Sequence, residues 1–292
     1  MEWKSTGWCG KGEVVLNGEK LLVQELAFPT INELFGLPKG KIIVAGPCAV
    51  ESEKELDAVA RSLKECGVRF LRGGAFKPRT SPYDFQGLGE EGMKIIDRVR
   101  RRYDMLAVSE IMDVRDIELG MRYTDVIQVG ARNMQNFSLL KELGRIDFPV
   151  VLKRGMMTTV REFLLATEYI VSGGNQKVIL CERGIRTFED STRNTLDIAC
   201  IPLVKTQSSL PILVDLSHSL GRKDIALPVA RAALACGADG LMLEVHNHPR
   251  DAKCDKAQQM DLTEFRTFLE QLNKREDDAD VIAMEAVSTG GL

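Results

Sequence analysis

The sequence predicts an α/β fold, a single (β/α)8 TIM barrel, and three observations predict it. Eight short β-branched runs, apolar nearly throughout, recur along the chain. Each is followed by a polar or glycine-rich turn and then a segment with helical periodicity. The runs start about 28 residues apart on average, room for one strand, one helix and two loops. Strands apolar on both faces that alternate with helices form a parallel sheet covered by helices, and eight such units close a barrel. An open doubly wound sheet is the weaker alternative, because no GxGxxG follows the first run and no GxxxxGK(S/T) occurs anywhere.

The runs are IIVAGP from Ile42, RFLRGGA from Arg69, LAVSEI from Leu106, VIQVGA from Val126, VVLK from Val150, VILCER from Val178, ILVDLSH from Ile212 and GLMLEVH from Gly240. Between them, Ser52 to Cys66 reads as a helix, with Ser52 as N-cap, Glu55 three positions on and Gly67 as its stop. Thr158 to Ser172 and Arg222 to Cys236 also read as helices, each ending at glycine. Cys66 and Cys236 stand just before those glycines, where small residues suit helix-to-sheet packing, so both read as structural.

Residues 1–40 form an extension in which Glu13 to Val23 is two apolar runs about Asn17-Gly18, a hairpin signal expected to plug the N-terminal mouth. Residues 41–275 make the barrel, closed by a helix from Leu262 to Lys274, and 276–292 read as a flexible tail.

The formal net charge of −3 argues against a nucleic-acid or anionic-membrane partner held by bulk electrostatics. No stretch approaches the ~20 apolar residues of a membrane span, and no apolar signal region stands at the start, so a cytoplasmic location is expected. The seven scattered cysteines include no CxxC pair and read as mostly reduced thiols.

Barrel active sites stand at the C-terminal ends of the strands, and those ends carry an unusual series. In order they are Cys48, then Arg72 with Lys77 and Arg79, Glu110, Arg132, Lys153, Arg183, His218, and Glu244 with His246. Any one of these could be a surface charge leaving the sheet. Converging together on one mouth they call for a shared ligand, and so many cations call for a polyanion bearing phosphate or carboxylate groups. The loop GGAFKPRTSPYDFQG adds a second anion site, where Pro78 and Pro82 bring together Lys77, Arg79 and the hydroxyls of Thr80 and Ser81. Cys48, His218, Glu244 and Asp255 form a mixed sulfur, nitrogen and oxygen set, which suits manganese, iron, cobalt or zinc better than calcium or magnesium. Spacing alone does not establish that set.

The motifs AGPCAVES, RGGAFKPRTSP, VGARNMQN, LKRGM and DLSHSLGR, in this order, resemble those of type I 3-deoxy-7-phosphoheptulonate synthases of the shorter β subgroup, over roughly Lys41 to Leu272. The resemblance implies a transferase that condenses phosphoenolpyruvate with erythrose 4-phosphate, the first step of the shikimate pathway. It places metal ligands at Cys48, His218, Glu244 and Asp255. It places phosphoenolpyruvate contacts at Arg72, Lys77, Arg132, Lys153 and Arg183, with Gly130 and Ala131 beside them. Aldose contacts fall on Lys77, Pro78, Arg79, Thr80 and Asp255, and Glu110 matches a carboxylate that holds a water. Catalytic roles are thereby implied for Lys77, Glu110, Cys48 and His218.

Asn247, where relatives commonly carry proline, and Cys254-Asp255-Lys256 are partly reminiscent of 3-deoxy-octulosonate 8-phosphate synthase, which uses arabinose 5-phosphate. The KPRTS loop favours the heptulosonate enzyme. A third reading is a catalytically silent barrel acting as a regulatory partner of chorismate mutase, and the presence of every matched site residue disfavours it. A homodimer or homotetramer is expected, with weak or no inhibition by aromatic amino acids.

Overall fold

A computed structural model describes residues 15–16 and 19–274. In chain order its strands are β1 (Val15–Leu16), β2 (Glu19–Lys20), β3 (Ile42–Gly46), β4 (Phe70–Arg72), β5 (Leu106–Ile111), β6 (Val126–Val129), β7 (Val150–Lys153), β8 (Val178–Glu182), β9 (Ile212–Asp215) and β10 (Gly240–Glu244). The helices are α1 (Leu22–Glu25), α2 (Ile31–Leu34), α3 (Glu53–Glu65), α4 (Glu90–Arg102), α5 (Ile117–Tyr123), α6 (Phe137–Gly144), α7 (Val160–Val171), α8 (Cys200–Gln207), α9 (Leu216–Leu220), α10 (Ala226–Ala235) and α11 (Leu262–Asn273). Strands β3 to β10 close on themselves, all parallel, with β10 paired to β3. This is the (β/α)8 barrel that the eight apolar runs predict.

Side chains on a strand alternate between faces, and here the alternation builds two cores. One residue set points inward: Val44, Phe70, Val108, Val126, Val151, Cys181, Leu213 and Met242 pack together inside the barrel. Their sequence neighbours Ala45, Leu71, Ala107, Ile127, Leu152, Leu180, Val214 and Leu243 point outward into the larger core beneath the helices. Both faces are therefore dry, as a parallel sheet requires.

Three features differ from the sequence-based expectation. The hairpin pairs Val15 with Lys20 and Leu16 with Glu19 as expected, but the side chains that close the N-terminal mouth come from the next segment. Ile31, Leu34, Phe35 and Leu37 pack onto the inner core, with Phe35 edge-on to Phe70 at 5.1 Å. Thr30 caps that turn through a capping box with Glu33, which the reading of the hairpin overlooked. Second, the expected helix from Arg222 begins at Ala226, because Arg222 is drawn into a fork with Asp224 in the preceding turn. Third, His218 does not end a strand: β9 stops at Asp215, whose carboxylate caps the short helix α9 and lifts His218 onto it.

The other helices follow their sequence signals. Ser52 caps α3 by accepting from the Glu55 N–H, and Thr159 rather than Thr158 caps α7. Cys66 and Cys236 are half-buried against the outer core, in keeping with a structural role. The tail proposed for 276–292 lies outside the described residues. No helix among the described residues is long and apolar enough to cross a membrane.

Candidate active site

Two residues beyond each inward apolar side chain, the same face of the barrel carries a second layer. From Val44, Phe70, Val108, Val126, Val151, Cys181, Leu213 and Met242, that step lands on Gly46, Arg72, Glu110, Gln128, Lys153, Arg183, Asp215 and Glu244. All but glycine are polar or charged, and each is less than one-tenth exposed. Such groups in a dry barrel cost several kcal/mol each unless paired or met by a ligand.

Some are paired within the protein. Arg72 Nη1 donates to Glu244 Oε1 at 2.8 Å, both side chains nearly inaccessible. Lys153 donates to Asp215, whose same oxygen meets His218 Nδ1 at 2.8 Å. Gln128 donates to Glu110 at 3.2 Å. Gly130 closes the β6 end with no side chain, because a Cβ there would strike the Glu110 carboxylate. Others are not paired. The only hydrogen bond of the Arg183 side chain among the described residues is a 3.4 Å contact to the Gly184 carbonyl, and Arg79 Nη2 is buried without a partner.

Above this layer lies a cavity of about 240 Å³, the scale of small metabolites. Seven cations line it (Arg72, Lys77, Arg79, Arg132, Lys153, Arg183 and Arg193) against three carboxylates, Asp84, Glu110 and Asp255. Pro78, Thr80, Gly130, Ala131 and His218 complete most of the wall. Ser81 is not among the lining residues, and its hydroxyl accepts the Tyr83 N–H at 3.2 Å. Arg132 is exposed and comes from the turn Ala131–Asn133 rather than from a strand end. Arg193, Gln128 and Asp84 line the cavity and were not anticipated. The step of two along β6 would have found Gln128, and the same step along β9 would have found Asp215. No periodic signal marks Arg193 or Asp84, which stand on irregular loops.

At the cavity floor the four predicted metal ligands converge. Donor atoms of Cys48, Glu244 and Asp255 lie within 4.8 Å of one another, and His218 Nε2 is 3.4 Å from Glu244 Oε1 and 3.9 Å from Asp255 Oδ2. Lys77 Nζ stands 3.1 Å from Cys48 Sγ and 3.0 Å from its carbonyl. Burial works against the charge of Glu244, and His218 and Arg72 more than offset it, holding the carboxyl well below the usual range. Burial also pushes His218 below the ordinary imidazole value, opposed by the charges of Asp215 and Glu244. Its Nδ1 faces Asp215, so Nε2 is turned toward the other donors. A thiol, an imidazole and two carboxylates at this spacing fit one borderline divalent ion.

His246, expected at the mouth, does not line the cavity. It groups with Glu51 and Glu55 instead. Its Nδ1 accepts the His248 N–H, so in the neutral ring Nε2 carries the proton and is a donor rather than a metal ligand.

The model of the DAHP synthetase I family matches residues 28–280. The chain belongs to the DAHP synthetase I family. Members of that family are generally metal-dependent, in keeping with the four converging donors. The chain is 51% identical over 235 residues to phospho-2-dehydro-3-deoxyheptonate aldolase of Thermotoga maritima, covering 80% of this chain and 70% of that protein. The crystal structure of this DAHP synthase from Thermotoga maritima superposes with a TM-score of 0.77 at 50% identity, over 80% of this chain and 68% of that one. A 2-dehydro-3-deoxyphosphooctonate aldolase of Syntrophotalea carbinolica is 29% identical over 248 residues, 79% of this chain and 88% of its own.

Proposed function

We propose that this barrel condenses phosphoenolpyruvate with erythrose 4-phosphate and water and releases phosphate, the 3-deoxy-7-phosphoheptulonate synthase reaction that opens the route to aromatic amino acids. The observation that carries it is the cavity of seven cations over the Cys48, His218, Glu244 and Asp255 donor set. A polyanionic substrate pair would compensate the cations, among which Arg183 makes only a 3.4 Å contact to a carbonyl and Arg79 keeps a buried Nη2 without a partner. The identity of 51% to the heptonate enzyme against 29% to the octonate enzyme favours the four-carbon aldose, as does the KPRTS loop on the cavity wall.

The chain's own residues divide the chemistry. Arg132, Lys153 and Arg183 hold the phosphate of phosphoenolpyruvate, while Arg79 and Thr80 hold that of the aldose. Lys77 donates a hydrogen bond to the aldehyde oxygen as C3 of the enol bonds to the aldehyde carbon and C2 becomes electron-poor. Glu110, aimed by Gln128, holds the water that adds at C2 and takes its proton. The C2–O bond of the phosphate ester then breaks as the C2 hydroxyl gives up its proton and the ketone forms; the two protons taken from water end on the alkoxide left by the aldehyde and on the departing phosphate, which the three cations stabilise. The divalent ion, for which we propose manganese, iron, cobalt or zinc, supplies Lewis acidity at the aldehyde oxygen when bound.

The test is phosphate release from phosphoenolpyruvate and manganese with either erythrose 4-phosphate or arabinose 5-phosphate. Release with the four-carbon aldose supports the reading. Release only with arabinose 5-phosphate moves the assignment to the octulosonate reaction, and none with either aldose favours the silent barrel. A homodimer or homotetramer, and a partnership with chorismate mutase, are further proposals that sedimentation with and without the mutase tests.

A further inference from the structure

We propose that Arg193 is an additional phosphate-binding residue of this cavity, a role that rests on reading the cavity as the synthase site. Its backbone is fixed from two sides. Ile185 and Thr195 pair across the loop, and the Arg193 N–H donates to the Leu220 carbonyl at 3.0 Å. Gly221 makes that approach possible: its φ is +68°, and a Cβ there would meet the Arg193 Cβ at 2.5 Å. Arg193 is thus held at the mouth beside the helix that carries His218.

Among the described residues the side-chain contacts of Arg193 run through Nη1, which donates to Gln258 Oε1 at 2.6 Å and forms an ion pair with Asp255 Oδ1 at 3.1 Å. Nε and Nη2 remain for a ligand on a side chain that is 35% exposed and lines the cavity. Arg183 lines the same cavity, buried and almost without hydrogen bonds. Burial lowers Arg183, and the like charge of Arg193 contributes to that lowering. Two like-charged guanidiniums in one cavity are reconciled by a dianion between or beside them, and a phosphate monoester matches their planar donors. The phosphate could come from the enol substrate, the aldose or the released product.

The test uses the full chain with manganese, comparing wild type with Arg193→Gln and Arg193→Lys. Calorimetric titration with phosphoenolpyruvate, erythrose 4-phosphate and inorganic phosphate, each alone, reads binding without turnover. The proposal predicts that Arg193→Gln weakens at least one of these by on the order of tenfold. Arg193→Lys should recover part of the loss, with an unchanged melting temperature. Loss confined to phosphoenolpyruvate and inorganic phosphate places the anion beside Arg183. Loss confined to erythrose 4-phosphate places it at the aldose end. If all three affinities stay within about twofold of wild type, the proposal is overturned. A fall in manganese affinity alone would then show that Arg193 serves only to anchor Asp255. Because the readout is binding, a wild-type protein that binds phosphoenolpyruvate without turning it over contradicts the proposed function and leaves this comparison intact.

Discussion

The carboxylate of Asp215 meets His218 Nδ1 at 2.8 Å, and the same oxygen takes the ammonium of Lys153. One fully buried group therefore orients the proposed metal donor and a proposed substrate cation together. Asp215→Ala is expected to weaken manganese binding roughly 10- to 100-fold, the usual effect of losing the partner of a ligating histidine. It should also destabilise the fold by about 3 kcal/mol, because the Lys153 charge is left buried and unpaired. Competition with a chromophoric chelator and urea denaturation measure the two effects.

Gly130 gives Glu110 its place. In Gly130→Ala the new methyl displaces the Glu110 carboxylate, the group proposed to hold the attacking water, so kcat should fall on the order of tenfold or more. The affinity for phosphoenolpyruvate in a binding titration and the melting temperature should change little. A variant as active as wild type would remove Glu110 from the mechanism.

Cys48 is wholly buried, and the hydrogen bond with Cys254, together with burial, pushes its thiol well up. Cys48→Ala removes the sulfur donor but little volume, so activity should be lost while the folded state persists. Dialysis against a chelator should abolish phosphate release, and added manganese should restore it. Undiminished turnover in metal-free buffer would count against the metal assignment.

Asp57 ties α3 to α4. Burial works against its charge, but bonds from Arg102, Tyr103 and Arg61 outweigh it and lower its pKa below the ordinary 3.8. A carboxyl lowered in the folded state contributes stability that is present above pH 3.8 and lost as pH falls through the folded value. Asp57→Asn should therefore be less stable than wild type at pH 7 and lose less stability below pH 4, as thermal melts across that range would show.

Much of this was legible in the sequence because strand interiors have a period. The apolar runs predict all eight barrel strands, and the charged residues at their ends include Arg72, Glu110, Lys153, Arg183 and Glu244. Gln128 and Asp215 obey the same alternation but carry no unusual charge density nearby, and only the step of two from an inward apolar residue exposes them. The run ILVDLSH reads as a strand through His218 because LSHSL is too short to show helical periodicity, and the capping by Asp215 decides the matter. Arg193 depends on a loop held by Gly221 and the Leu220 carbonyl, contacts between segments far apart in sequence. The plug moved from the hairpin to Ile31–Leu37 for a similar reason, since nothing local distinguishes a mouth-filling apolar turn from any other.

The most direct test of the central claim is anomalous diffraction at the manganese edge from crystals soaked with manganese and phosphoenolpyruvate. The account predicts one peak within bonding distance of Cys48 Sγ, His218 Nε2, Glu244 and Asp255, with the substrate phosphate on Arg132, Lys153 and Arg183. Full occupancy of the substrate with no metal peak among those four side chains, or a substrate phosphate bound away from those cations, would contradict it.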